Sequence, residues 1–408
     1  MTDLRNRRSR GRDGRAGRSA GFRGPRGSGR LSTAFLILSV IIAGLTVLGL
    51  VMTFSASFVE SVRASGDAFG VFRRQLMWCA VGLVPLVGLA LTDYRWIRRL
   101  APLIMLGTLG LATLVLVPGI GLEAQGARRW LGVGSITVQP SEMLKLAVPL
   151  FVAAMMARNW KRIRGGDLRA LLMPSVPAIA IAALLTLRGP DLETALLIAV
   201  IGGVCMFVSG LPGRIVAVGA AAGAVMVVSA ILAAPWRMGR LYAWVDPMAH
   251  RGDIGYQSVQ GLLAMGSGGV FGRGLGQGRG QWSIPAPHTD FIFAVIGEEL
   301  GLIGALFVVL LFCGLAVGGI RAARSAPDVF GRVLATGITG WLLGQAAMNM
   351  ASVVGLLPVT GVTLPLVSFG GSSLVVTMTA LGLLLSIARA GRTEPAPPTV
   401  GARTGGRR

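Results

Sequence analysis

Residues 285–299 read Pro-Ala-Pro-His-Thr-Asp-Phe-Ile-Phe-Ala-Val-Ile-Gly-Glu-Glu. They set His288, Thr289 and Asp290 at the lip of an apolar segment that also carries Glu298 and Glu299. The chain has only 17 acidic residues in 408, so gathering three of them at one apolar run is informative. Carboxylates near or inside a bilayer are costly and mark function. Asp290 is therefore the first candidate for chemistry, and the run that follows it is read as a membrane helix.

The rest of the chain supports that reading. Hydrophobic residues make up 53% and charged residues 14%, with a mean hydropathy of +0.69. A soluble core of this size does not have such a composition. Apolar runs long enough to cross about 30 Å of hydrocarbon recur throughout. They fall at 34–57, 75–92, 101–118, 142–157, 170–187, 193–210, 213–234, 291–319, 331–355 and 367–388. The expected fold is an all-α integral membrane protein of about ten transmembrane helices. A long extracytoplasmic loop, 235–290, joins helices seven and eight.

Charge divides the chain further. The formal net charge is +22. Residues 1–30 are Arg- and Gly-rich with almost no apolar side chains, so they are expected to be a disordered basic cytoplasmic tail. Residues 31–390 form the polytopic domain, and 391–408 a second disordered cytoplasmic tail. The positive-inside rule groups Arg95, Arg98 and Arg99, the basic cluster from Arg158 to Arg169, Arg214, and Arg321 to Arg332 with both tails on the cytoplasmic side. Arg63, Arg73 and Arg74 break the pattern in the first outer loop. A basic tail of this kind serves topology or anionic lipid more often than nucleic acid, and no nucleic-acid partner is expected. Cys79, Cys205 and Cys313 lie in expected spans at no metal-binding spacing and read as packing residues. With two histidines, a His-based metal site is not expected.

The outer segments are more than connectors. Residues 126–145 contain Gly126-Ala-Arg-Arg-Trp130 and Gln139-Pro-Ser-Glu-Met-Leu-Lys145. Pro140 suits a first helical turn. Glu142 and Lys145 are three apart, so they share a helix face and can pair. That pair is read equally as a helix-start ion pair or as part of a site. Asp191, after Gly189 and Pro190, suits a helix N-cap. The stretch Gly266–Gly280 looks superficially like a phosphate loop, but no Lys-Ser/Thr follows it and no strand precedes it. Residues 355–373 hold two prolines, several glycines and hydroxyl side chains at membrane depth. They are read as a broken or re-entrant element, which is tolerated only where it lines protein or a cavity.

These blocks together resemble the SEDS family of membrane glycosyltransferases, named for shape, elongation, division and sporulation. The resemblance rests on Ala127-Arg-Arg-Trp130, Gln139-Pro-Ser-Glu142, Pro190-Asp191, Gly255-Tyr-Gln257, Met265-Gly-Ser-Gly-Gly269, His288-Thr-Asp-Phe-Ile-Phe293, Gly297-Glu-Glu-Leu-Gly301 and Ser368-Phe-Gly-Gly-Ser-Ser373. It covers roughly residues 35–390 and is closer to the division members than to the elongation members. Three positions depart from the family pattern: Glu193, Ala286 and Phe369.

The resemblance implies a peptidoglycan polymerase that joins lipid II units on the outer face of the bacterial cytoplasmic membrane and releases undecaprenyl pyrophosphate. It implies a class B penicillin-binding protein transpeptidase as partner, with other division proteins around it. Asp290 is the implied catalytic residue. Trp130, Glu142, Lys145, Arg128, Arg129, His288, Ser372 and Ser373 are the implied substrate-binding residues. The chemistry agrees in type. Glycosyl transfer needs a carboxylate to take a hydroxyl proton. A leaving pyrophosphate needs positive charge, from arginine or from a divalent cation such as Mg or Mn. A lipid II flippase and a non-catalytic scaffold that recruits a transpeptidase remain as alternatives.

The charge pattern makes a prediction of its own. Topology reporters fused at residue 250 and at the C-terminus should report opposite sides of the membrane. A same-side result would mean the span count is wrong by an odd number.

Overall fold

The computed structural model describes residues 32–124, 127–133 and 136–391. The tail expected over 1–30, the positions 392–408, and Gly126 and Gly134 of the outer motif lie outside the described residues. In chain order the elements are α1 (Thr33–Ser65), α2 (Gly70–Leu91), a short 3-10 turn at 94–96, α3 (Ile97–Val115), β1 (Gly121–Ala124), β2 (Ala127–Val133), β3 (Ile136–Val138), α4 (Pro140–Arg164), α5 (Leu168–Arg188), α6 (Leu192–Val208), α7 (Gly213–Leu232), α8 (Pro235–Val245), α9 (Tyr256–Gly268), α10 (Gly280–Ser283), α11 (Ile292–Glu299), α12 (Gly301–Ser325), α13 (Val329–Val353) and α14 (Gly371–Ala390).

Among the described residues, eight helices are long and apolar enough to cross a bilayer: α1, α2, α3 with its preceding turn, α4, α5, α7, α12 and α14. The ten expected segments fall on these eight together with α6, an apolar helix only 17 residues long, and α13. The core sits where α4, α13 and α14 meet. Leu144, Val148, Val152, Leu334, Ile338, Trp341, Leu381 and Leu384 are all buried there. Lipid supplies no hydrophobic drive between helices, so close approach over small residues has to hold them together. A Cβ on Gly319 would meet Thr339 Cβ at 2.9 Å, and one on Gly337 would meet Pro149 Cβ at 2.8 Å. By contrast, α7 buries none of its residues and leaves its apolar surface for lipid.

One expected span is corrected. Residues 291–319 are not one helix: the chain breaks at Leu300, and Gly301 adopts φ +69°. The reason lies in the loop that crosses there. Leu302 and Ile303 donate their N–H groups to Gly269 O and Val270 O, at 2.9 and 3.2 Å. A side chain on Gly301 would run into Val270, whose carbonyl carbon would lie 2.7 Å from its Cβ. The opening N–H groups of α12, which have no partner inside the helix, are thus satisfied by the crossing loop. The outer segment 121–138 was not anticipated as a sheet. It folds into a three-stranded antiparallel meander in the order β1-β2-β3, with Trp130 opposite Leu122.

The bundle has two chemically distinct ends. At one end the start of α1 is tied to the end of α14 by Ser32 Oγ donating to Ala388 O at 2.6 Å. Arg389 reaches Leu91 O there at 2.8 Å. This end carries Arg95, Arg98, Arg99, Arg158, Lys161, Arg162, Arg164, Arg169, Arg324 and Arg332, against Asp93, Asp167 and Asp328. The other end carries the sheet, α8 to α11, and most of the acidic residues. Two of the three basic residues that broke the charge pattern are accommodated there: Arg73 pairs with Asp67, and the Arg63 guanidinium lies 5.0 Å from the Trp282 ring centre.

At the outer end, residues 355–370 carry no helix or strand, as the sequence reading expected. Gly49 of α1 lets this segment approach: a Cβ there would lie 2.8 Å from Val367 Cα, which is backbone and cannot rotate away. Leu366 beside it holds φ +65°. Gly49→Val should therefore destabilise the folded protein by about 1–3 kcal/mol. The measurement is thermal unfolding in detergent, with Gly88→Val, where a Cβ would meet nothing within 4 Å, as the tolerated control.

Candidate active site

Asp290 stands on a tight turn between α10 and α11, outside the membrane-crossing helices. The turn closes through Ala286, whose carbonyl accepts the Thr289 N–H at 3.1 Å. Ala286 adopts φ +45°, a left-handed backbone that costs a non-glycine residue about 1–3 kcal/mol. Thr289 Oγ1 lies 2.6 Å from Asp290 Oδ1 and 2.8 Å from Ala286 O, so its single proton serves one acceptor at a time. Burial pushes the Asp290 carboxyl above its usual range, while the Thr289 hydroxyl and the positive charge of Arg240 pull against that rise. Asp290 is half-buried. A carboxylate in that setting is a stronger base than one in water.

The turn is held by α13. Asn349 donates from Nδ2 to Asp290 O and to Val362 O, both at 2.8 Å. One helical turn earlier, Gln345 donates from Nε2 to Thr363 O at 2.8 Å. Its Oε1 accepts from Lys145 Nζ at 2.9 Å and from Trp341 Nε1 at 2.7 Å. Lys145 Nζ is 2.7 Å from Glu142 Oε1, with the lysine side chain 1% exposed. The expected Glu142–Lys145 pair is thus formed and buried. It connects to Asp290 through Gln345, the Val362–Thr363 backbone and Asn349. The sequence reading missed Gln345 and Asn349. The available signal was two amides spaced i, i+4 on an otherwise apolar helix. Glu142 Oε2 has no hydrogen-bond partner among the described residues.

The other candidates occupy the rim. Ser372 Oγ accepts the Gln139 N–H at 3.3 Å, and Ser373 Oγ lies 3.3 Å from Thr363 Oγ1. Both serines therefore pin the start of α14, one to α4 and one to the 355–370 segment. Asp191 caps α6 through the Thr194 N–H at 3.1 Å, as expected, and its second oxygen faces Ser141 Oγ at 3.3 Å. Arg128 pairs with Glu123 at 3.2 Å. Arg129 donates to Gly189 O at 2.8 Å and also to Pro190 O. Trp130 lies beside them on β2. Arg240 pairs with Glu193 at 3.1 Å. His288 is buried, with Nδ1 3.3 Å from Glu60 Oε2. Its ring is edge-on to Phe369 at 5.4 Å, and its carbonyl accepts the Phe369 N–H at 2.8 Å. It points to α1 and the broken segment and locks the turn from behind.

Glu298 and Glu299 clamp the glycine-rich loop. Glu298 accepts the backbone N–H groups of Arg279 and Gly280 at 2.8 and 2.7 Å. The Ser55 hydroxyl lies 2.7 Å from Glu299 Oε2, and its oxygen accepts the Gly276 N–H at 3.2 Å. A Cβ on Gly278 would come within 3.0 Å of Glu298 Oε2, so glycine is what allows this approach. N–H groups that a phosphate loop would turn to a nucleotide are here turned to the chain's own carboxylates. Among the described residues, no group of three His, Cys, Asp or Glu side chains could hold a metal ion. A divalent cation could then be held only by one or two carboxylates and the phosphates of a bound substrate, as Mg often is.

The cell cycle protein family that takes in FtsW, RodA and SpoVE matches residues 36–393. The chain is 42% identical over 370 residues to the "Probable peptidoglycan glycosyltransferase FtsW" of Mycobacterium tuberculosis, covering 90% of this chain and 69% of that one. It is 37% identical over 361 residues to stage V sporulation protein E of Bacillus subtilis, covering 88% and 97%. Among solved structures, a chain described with the coordination of polymerization and crosslinking by a peptidoglycan synthase complex aligns at a TM-score of 0.69 and 31% identity, over 86% of this chain and 96% of that one. The rod shape determining protein RodA of Thermus thermophilus aligns at 0.62 and 30% identity, over 86% and 95%. Matched over nearly its whole described length in sequence and in fold, this chain belongs to the FtsW/RodA/SpoVE family of cell cycle membrane proteins.

Proposed function

We propose that this chain is a peptidoglycan glycosyltransferase of cell division, polymerising lipid II into glycan strands on the outer face of the cytoplasmic membrane, with Asp290 as general base. The observation that carries the assignment is the state of the carboxylates at the outer end. Glu298 and Glu299 are committed to the loop, Asp191 to a helix cap, Glu193 to Arg240 and Glu142 to Lys145. Asp290 is held in place through its backbone, while the one side chain that hydrogen-bonds its carboxylate among the described residues is Thr289.

In the reaction, Asp290 takes the proton from the attacking sugar hydroxyl. The new C–O bond forms at the anomeric carbon as its bond to the pyrophosphate breaks, and undecaprenyl pyrophosphate leaves with the electron pair. Lys145, fixed by Glu142 and Gln345, provides buried positive charge behind the turn. The charge of Arg240, itself paired with Glu193, also favours the ionised Asp290 carboxylate. A divalent cation, Mg or Mn, would supply further neutralisation of the pyrophosphate when bound with it. Trp130, Arg128 and Arg129 frame the sheet side of the rim, and Ser372 and Ser373 the α14 side. A class B penicillin-binding protein is the partner that would crosslink the strands. Both termini lie in the cytoplasm, a reading supported by the excess of arginine at the end of the bundle where α1 begins and α14 ends.

Asp290→Asn keeps the shape and the turn but removes the proton acceptor. It should cost about a hundredfold or more in polymerisation by purified protein, with folding and membrane insertion retained. Glycan synthesis at the wild-type rate by this variant would overturn the assignment. A flippase would instead show lipid II translocation in vesicles and no polymer from either form. The base must be deprotonated to work, and its pKa is raised. The rate should therefore fall with falling pH at values above the ordinary carboxylate range of about 4.

The buried pair makes a separate stability prediction. Lys145→Met leaves Glu142 buried without its cation and should destabilise by about 3–5 kcal/mol. Adding Glu142→Gln should recover part of that loss. Thermal unfolding of the single and double variants measures both.

A further inference from the structure

The end of the bundle opposite Asp290 contains a cleft of about 560 Å³ between the start of α3, the last turns of α4 and the start of α13. That volume is in the range of ligand sites, about 300–1,000 Å³. We infer that it binds the phosphate headgroup of one anionic phospholipid.

Four arginines converge on the cleft: Arg95 from the turn before α3, Arg98 and Arg99 from its first turn, and Arg158 from α4. One acid, Asp328, lines it with them. That acid is already engaged. It accepts from Arg95 Nε at 2.8 Å and from Tyr94 OH at 2.6 Å, and its other oxygen caps α13 through the Gly331 N–H at 2.8 Å. Arg98, Arg99 and Arg158 make no hydrogen bond or ion pair among the described residues. The contrast on the same helix is Arg162, which pairs with Asp167 at 2.8 Å. Topology requires only that arginines lie on one side of the membrane. It does not require that two helices distant in sequence aim them into one concavity with a single, spent counter-charge. Three like charges at one cleft repel each other until an anion joins them. Guanidinium forks fit phosphate oxygens in pairs.

The wall of the cleft identifies the kind of anion. Pro102, Ala154, Met155 and Phe330 give it an apolar side, which suits the glycerol and upper acyl chain of a lipid and gains nothing from a free phosphate ion. Basic pockets between membrane helices on the cytoplasmic side are known to take acidic lipid headgroups. This inference does not depend on the glycosyltransferase reading, because the cleft lies at the other end of the molecule.

The test is native mass spectrometry of the full chain in detergent, titrated with phosphatidylglycerol or phosphatidylcholine. Wild type should hold one phosphatidylglycerol through partial delipidation and prefer it over phosphatidylcholine. Arg98→Gln/Arg99→Gln/Arg158→Gln should lose that adduct, with affinity down roughly a hundredfold, about fivefold for each arginine. The charge-matched control Lys161→Gln/Arg164→Gln/Arg169→Gln, which alters exposed residues outside the cleft, should keep it. Equal retention by the two triple variants overturns the site. Displacement of the adduct by inorganic phosphate at millimolar concentration, or lack of preference between the two lipids in wild type, overturns the lipid assignment. If the cleft triple variant fails to fold, the single variants Arg98→Gln and Arg158→Gln carry the test, each weakening the adduct about fivefold, and wild-type affinity in both overturns the site.

Discussion

A bilayer interior offers no water to an unpaired backbone group, so any non-helical chain at membrane depth must find its partners within the protein. The outer half of this molecule is built around that constraint. The 355–370 segment is satisfied by Gln345 and Asn349, which reach from α13 to Thr363 O and Val362 O. The glycine-rich loop is satisfied by Glu298 and by Ser55. The start of α12 is satisfied by the carbonyls of Gly269 and Val270. Gln345, Asn349, Glu298 and Ser55 sit on helices, and Gly49, Gly272 and Gly301 stand where a side chain would meet backbone. The broken backbone is therefore tied firmly to the helices by their side chains.

Asp290 inherits that firmness. Its carbonyl is held by the same Asn349 that holds Val362, so one side chain ties the turn to the broken segment. From the other side the His288 carbonyl binds Phe369. Among the described residues, one side chain, the Thr289 hydroxyl, hydrogen-bonds the carboxylate itself. A buried ion pair such as Glu142–Lys145 contributes little net stability, because desolvation cancels most of the attraction. Its value here is positional: it fixes Gln345, which accepts from Lys145 while donating to Thr363. The family relationship and this geometry point to the same outer surface for chemistry.

The two ends of the bundle solve different problems. At the outer end acids and bases are interspersed and mostly paired, which leaves a few groups free for a substrate. At the other end arginines outnumber acids, and some converge without counter-charge. That asymmetry orients the protein in the membrane and also shapes a cleft suited to an anion.

Much of this was legible in the chain alone. Membrane class follows from apolar runs of spanning length, because the bilayer thickness sets the length of a helix. The Glu142–Lys145 pair follows from three-residue spacing, the Asp191 cap from its place after Gly-Pro, and the irregular 355–370 segment from its prolines and glycines. Asp290 was singled out by its place at the lip of an apolar run. What the sequence could not decide depends on partners far apart in the chain. The break at Gly301 is made by a loop some thirty residues upstream. The roles of Glu298 and Glu299 as clamps, and of Gln345 and Asn349 as supports, appear only when the helices are packed. Local pattern determines which segments are helices and which residues are costly to bury. Only tertiary contact decides what each costly residue is bonded to, because hydrogen bonds and buried charges find their partners in space rather than along the chain.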